Sequence, residues 1–132
     1  MKNILKKFRT DIINTVIGPE TTIQGMLHSQ RSMRIEGQII NGEISSEGEI
    51  YIGEDSIVKV SKLVARDIIV AGEVRGDIEA IKSLQILKTG RVYGNITGDQ
   101  LKIEEGGIYK GKVQMDIISA QNKYEGEMVL NH

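Results

Sequence analysis

Few residues in this chain have both the type and the spacing to do chemistry. Gly106-Gly-Ile-Tyr-Lys-Gly111-Lys112-Val113 comes nearest, because its first seven positions fit a loop whose glycine amides cradle a phosphate while a lysine neutralises it. Val113 stands where such a loop needs a hydroxyl for magnesium, so nucleotide binding is not expected there. The two histidines, His28 and His132, lack metal-ligand spacing, and one internal histidine cannot support a Ser/His/Asp arrangement. The carboxylate pairs Glu54-Asp55 and Glu104-Glu105 fall at predicted turns, where solvated charge is the ordinary explanation. Cysteine is absent, which removes disulfides and thiolate metal sites and suits a reducing cytoplasm. The chain therefore reads as a non-enzyme with no cofactor and no metal.

Composition turns attention to the elements. A length of 132 residues suits one domain. The net charge of −1 argues against a nucleic-acid-binding protein. No apolar run approaches the ~18 residues of a membrane-spanning helix, and nothing reads as a cleavable signal peptide. Aromatic residues make up only 4% of the chain, with no Trp, whereas Ile, Val and 15 Gly recur throughout. A narrow interior of stacked β-branched residues needs few rings, so a thin repetitive β structure is favoured.

The repeat is an apolar residue, any residue, Gly, any residue, and an apolar residue. It appears at Ile23-Gln-Gly25-Met-Leu27, Ile40-Asn-Gly42-Glu-Ile44, Val74-Arg-Gly76-Asp-Ile78, Val92-Tyr-Gly94-Asn-Ile96 and Tyr109-Lys-Gly111-Lys-Val113. These glycines lie 17, 34, 18 and 17 positions apart, and the double gap hides the degraded unit Lys59-Val-Ser61-Lys-Leu63. In that unit a one-residue bulge would let Val58 take the place of Lys59. A further copy, Tyr124-Glu-Gly126-Glu-Met128, follows after 15. Small residues recur in step at Ser29, Ser46, Ala65, Ala80 and Gly98. So do the apolar pairs Met33/Ile35, Ile50/Ile52, Ile68/Val70, Leu84/Ile86 and Leu101/Ile103. A spacing of two is the strand period, so each unit of about 17 residues should form one coil of an all-β, single-domain parallel solenoid of about six coils. The spacing leaves its handedness open.

A solenoid buries its interior only between neighbouring coils, so uncapped ends invite stacking. The expected organisation is a tail over residues 1–15, the solenoid over 16–115 and a carboxy-terminal segment over 116–132. That last segment is read either as an extra coil or tail, or as a cap folded over the rod. Met115 occupies the column that elsewhere holds Ser, Ala or Gly, which marks it as an exposed contact. The expected polymer interface comprises Ile17, Ile23, Leu27, Met33, Ile35, Leu101, Ile103, Val113 and Met115. In the tail, Ile4, Leu5, Phe8 and Ile12 would make one stripe of a helix, with Lys2, Lys6 and Arg9 away from it. Lys2, Ile4, Leu5, Lys6, Lys7, Phe8 and Arg9 are thus candidate membrane contacts, with a disordered tail or a flap over the first coil as the other reading.

These residues carry a resemblance to the bactofilins. It rests on Thr15-Val-Ile-Gly18, Thr21-Thr-Ile-Gln-Gly25, Ile35-Glu-Gly37, Gly48-Glu-Ile-Tyr-Ile-Gly53 and Ala71-Gly-Glu-Val-Arg-Gly76-Asp-Ile78. It continues through Thr89-Gly-Arg-Val-Tyr-Gly94-Asn-Ile96 and Ile103-Glu-Glu-Gly-Gly-Ile-Tyr-Lys-Gly111. The resemblance implies a right-handed parallel β-helix that polymerises without nucleotide into non-polar filaments by joining like ends. It also implies a cytoplasmic scaffold at the inner face of the cell membrane, serving cell shape, division or motility organelles. The implied partners are further copies of the chain, a paralogous bactofilin and inner-membrane lipid reached by the tail. Two other functions would leave different marks in the sequence. A left-handed β-helix acyltransferase would show strict hexapeptide repeats and a catalytic His. A monomeric β-solenoid adhesin or carbohydrate-binding protein would show a secretion signal and an exposed aromatic row.

Overall fold

The computed structural model describes residues 13–120 and 124–128, with side chains over residues 13–115. Every regular element in this span is a β-strand: β1 (Ile13–Ile17), β2 (Thr22–Ser29), β3 (Ser32–Ile35), β4 (Gln38–Ser46), β5 (Glu49–Ile52), β6 (Ile57–Val70), β7 (Glu73–Ile86), β8 (Arg91–Tyr93), β9 (Ile96–Ile103), β10 (Ile108–Ala120) and β11 (Tyr124–Met128). All pair in parallel, each with strands one coil away, so the chain winds as a solenoid of about six turns.

Three ladders run along the rod. One stacks β1, β3, β5 and the second halves of β6, β7 and β9, bringing Ile17, Ile35, Ile52, Val70, Ile86 and Ile103 into line. A second aligns Ile23, Ile39, Val58, Val74, Val92 and Tyr109. The third aligns Leu27, Ile44, Leu63, Ile78, Ile96 and Val113. Alternate side chains of a strand point to opposite faces, so these columns meet inside as one continuous core while their neighbours face outwards. Among the described residues Tyr109 is the one ring in that core. Its hydroxyl lies 2.7 Å from the carbonyl oxygens of Gly94 and Lys112, which share its single hydrogen.

The corner between the second and third ladders explains the central glycines. Gly94 has a φ of 142°, and a Cβ there would run into the carbonyl oxygen of Gly76 one coil below. Close stacking of successive backbones at this corner therefore requires a residue without a side chain.

The same corner corrects the repeat register in two coils. The inward residue of the second coil is Ile39, fully buried, and Ile40 of the repeat motif is only half-buried on the outer side. Asn41 supplies the extra residue and takes a φ of 52°. In the third coil Val58 faces inwards and Lys59 outwards, as a bulge would require, with Val60 and Ser61 skipped by the pairing to β7. The irregularity thus spans two neighbouring coils and is not confined to the third.

Candidate polymer interface

Each inner column needs a coil on both sides to be dry, so the ends of the rod can be found by comparing residues within a column. At the amino-terminal end β1 pairs only with β3, and β2 only with β4 among the described residues, so both strands present an unpaired edge. Ile23 and Leu27 are half-buried there, whereas their neighbours Ile39 and Ile44 in the next coil are sealed. Ile17 lies in the same end coil and is 4% exposed.

Three exposed apolar residues that the repeat pattern does not single out join this end. Ile13, Val16 and Met26 are 49%, 63% and 80% exposed. Val16 and Met26 alternate with the inward residues Ile17 and Leu27. An apolar residue in an outward strand position was therefore the available sequence signal.

The other expected interface residues lie deeper. Met33 and Ile35 sit in β3 between β1 and β5, and Leu101 and Ile103 sit in β9 between β7 and β10. Val113 is fully buried, and the backbone of β11 pairs over β10 from Tyr109↔Tyr124 to Val113↔Met128. Met115 is also fully buried, which corrects its reading as an exposed contact. Its Cε would stand 3.1 Å from a Cβ on Gly98, so the long side chain occupies space left open by the glycine one coil before it.

Near the amino-terminal end, His28 Nδ1 is 2.7 Å from Ser45 Oγ, and its Nε2 is 3.7 Å from Glu47. Both contacts place the ring on the surface between coils. Gly106 and Gly107 lie where a turn leads into β10, so the phosphate-loop-like segment continues as a strand. Glu54-Asp55 and Glu105 also occupy turns. His132 and the candidate membrane contacts Lys2, Ile4, Leu5, Lys6, Lys7, Phe8 and Arg9 lie outside the described residues.

Comparison with known proteins joins this architecture to a family. Residues 15–114 match the family model described as Bactofilin, polymer-forming cytoskeletal. The chain is 30% identical over 108 residues to Bactofilin BacO of Myxococcus xanthus (strain DK1622), covering 82% of this chain and 84% of that protein. It is 29% identical over 106 residues to Bactofilin BacP of the same organism, covering 80% of this chain but only 43% of that protein. Among solved structures it is similar to a Thermus thermophilus bactofilin reconstructed by cryo-EM as double helical filaments. That likeness has a TM-score of 0.65 at 25% identity and covers 89% of this chain and 100% of the other.

Proposed function

The chain belongs to the bactofilin family of polymer-forming cytoskeletal proteins, and from that premise we propose that its rods join by like ends, without nucleotide, into non-polar filaments at the inner face of the cell membrane. Such a filament would act as a scaffold for cell shape, division or assembly of a motility organelle.

The observation that carries the reading is the open amino-terminal coil. Half-buried Ile23 and Leu27 continue columns that are sealed in every later described coil, and exposed Ile13, Val16 and Met26 stand beside them. Covering this end removes apolar surface from water at about 25 cal/mol per Å² and gives partners to two strand edges. A contact between like ends closes on itself as a pair, so growth into a filament without polarity takes a second like-end contact at the carboxy-terminal coils. Ile17, Ile23 and Leu27 are the interface residues proposed for this end, with Ile13, Val16 and Met26 added. A paralogous chain with the same coil pattern is a second proposed partner.

The test is negative-stain electron microscopy of nucleotide-free protein beside a Leu27→Arg variant. Long filaments of the first and folded monomers or single end-to-end pairs of the second are expected. Unchanged long polymers of the variant would move the contact elsewhere. Membrane attachment is assigned to the basic and apolar residues of 1–9, whose weak single-copy affinity a filament multiplies. Deleting residues 1–9 should abolish co-sedimentation with anionic liposomes while filaments persist.

A further inference from the structure

Asn41-Gly42 is the one Asn-Gly pair in the sequence. In such a pair the backbone nitrogen of the glycine can attack the side-chain amide carbon of the asparagine, because no Cβ on the following residue hinders closure of the five-membered ring. In a folded protein the pair alone is not enough. The amide must be free to turn, water must reach it, and the backbone must be released from its ladders.

The bulged corner of the second coil meets these needs. Asn41 is exposed on the outer side of β4, at the edge of an open recess beside Lys59 and Arg75. Its side chain makes no hydrogen bond or ion pair with the described residues. The pairing of β4 passes from Ile40 to Glu43 against β2 and from Ile40 to Gly42 against β6, so Asn41 has a partner in neither ladder. A bulged residue of this kind is left out of the strand bonding that would otherwise hold it. Its φ of 52° is the one positive value among the described non-glycine residues. The other asparagines with described side chains lack these features. Asn14 Oδ1 accepts hydrogen bonds from the hydroxyls of Thr15 and Ser29, and the β-branched Thr15 follows it. Asn95 is followed by Ile96, which is β-branched and fully buried in the core.

We propose that Asn41 is a site of spontaneous deamidation. The Gly42 nitrogen, losing its proton to hydroxide, bonds to Asn41 Cγ, and the amide nitrogen leaves as ammonia, which gives a cyclic succinimide. Water then opens the ring at either carbonyl. One opening leaves aspartate at position 41. The other leaves isoaspartate, whose main chain runs through the former side-chain carbon and is one methylene longer. Either product adds one negative charge to the lining of the recess. Aspartate shares the tolerance of asparagine for positive φ, and the added methylene falls where the corner already carries an unpaired residue, so the neighbouring coils keep their register.

The experiment is incubation of the full chain at mildly alkaline pH, both folded and in guanidinium chloride, followed by proteolysis and mass spectrometry of the peptides holding Asn14, Asn41 and Asn95. Labelling by a protein isoaspartyl methyltransferase, which methylates the isoaspartyl carboxylate, identifies the second product. In the folded chain, loss of the Asn41 amide with methyl labelling at that position is expected, while Asn14 and Asn95 keep their amides. Asn41→Gly, which suits a positive φ, should abolish the label. Retention of the Asn41 amide by the folded chain, under conditions in which the unfolded chain loses it, would mean that the coil holds the Gly42 nitrogen away and would overturn the proposal. So would loss at Asn14 or Asn95 at an equal rate. Asn41→Asp tests whether the coil accepts the product: an unchanged urea midpoint is expected, and a clear fall would overturn that part. None of these readouts requires assembly, so they stand whether or not the rods join by like ends.

Discussion

Glu73 opens β7 between two guanidinium groups, with Arg75 Nε at 2.8 Å and Arg91 Nε at 3.5 Å. The hydrogen bond from Arg75 is the main cause that holds its carboxyl below the ordinary value of 4.5, against the opposing effect of burial. A lowered carboxylate pKa means that the fold favours the charged form. This contribution to stability is complete above the unfolded value and is lost as pH falls through the folded one. Glu73→Gln should therefore lower stability at neutral pH by a few tenths to about 1 kcal/mol. The difference from the parent should vanish in acid, which urea denaturation at a series of pH values would read. The Arg91 contact and the Arg75–Tyr93 stack were not legible in the repeat, because each joins residues one coil apart, whereas Glu73 and Arg75, two apart on one strand, share a face by the strand period.

At the scale of the element, the corner glycines and the strand period answer to different constraints. The period of two is a property of any extended chain, so the inward faces of the strands could be read directly from sequence. The register at a corner depends on how the backbone of the coil below is placed. Ile39 and Ile40 illustrate this: both are apolar, and only the extra residue Asn41 decides that Ile39 turns inwards. Lys59 made the third coil's bulge visible because a lysine cannot occupy the interior, whereas the second coil concealed the same device behind two isoleucines. Gly94→Ala tests the stacking argument. It should cost at least ~1–3 kcal/mol from the backbone conformation alone, measured as a lowered unfolding midpoint. The same exchange at Gly25 lacks the steric conflict, since nothing lies within 4 Å of a Cβ there, and should cost less despite its φ of 118°.

At the scale of the whole molecule, the two ends of the rod differ. The amino-terminal coil leaves Ile23 and Leu27 half-covered, while the column at the other end continues through Val113 under the backbone of β11. Assembly through the open end links folding to association, because only the folded coil can be covered by a partner. The unfolding temperature of the parent should therefore rise with protein concentration more steeply than that of Leu27→Arg. Differential scanning calorimetry over a wide concentration range makes the comparison. Equal concentration dependence in both proteins would place the stabilising contact away from this end.

The parallel solenoid, its coil count, most of its inward columns and its family were determined by sequence alone. Each coil repeats the same demand, apolar residues at a spacing of two and a small residue at the corner, so the pattern is local and written several times over. What tertiary structure decided lies wherever one coil meets another unequally. Met115 looked like a surface contact by its column, yet it is buried because Gly98 below leaves space for it. Met33, Ile35, Leu101 and Ile103 share the apolar pattern of end residues and are nevertheless covered from both sides. The recess beside Lys59 and Arg75 exists only because two insertions fall at the same corner of adjacent coils. A repeat tells what each coil must bury; the stacking of one backbone on the next decides which side chains remain for partners.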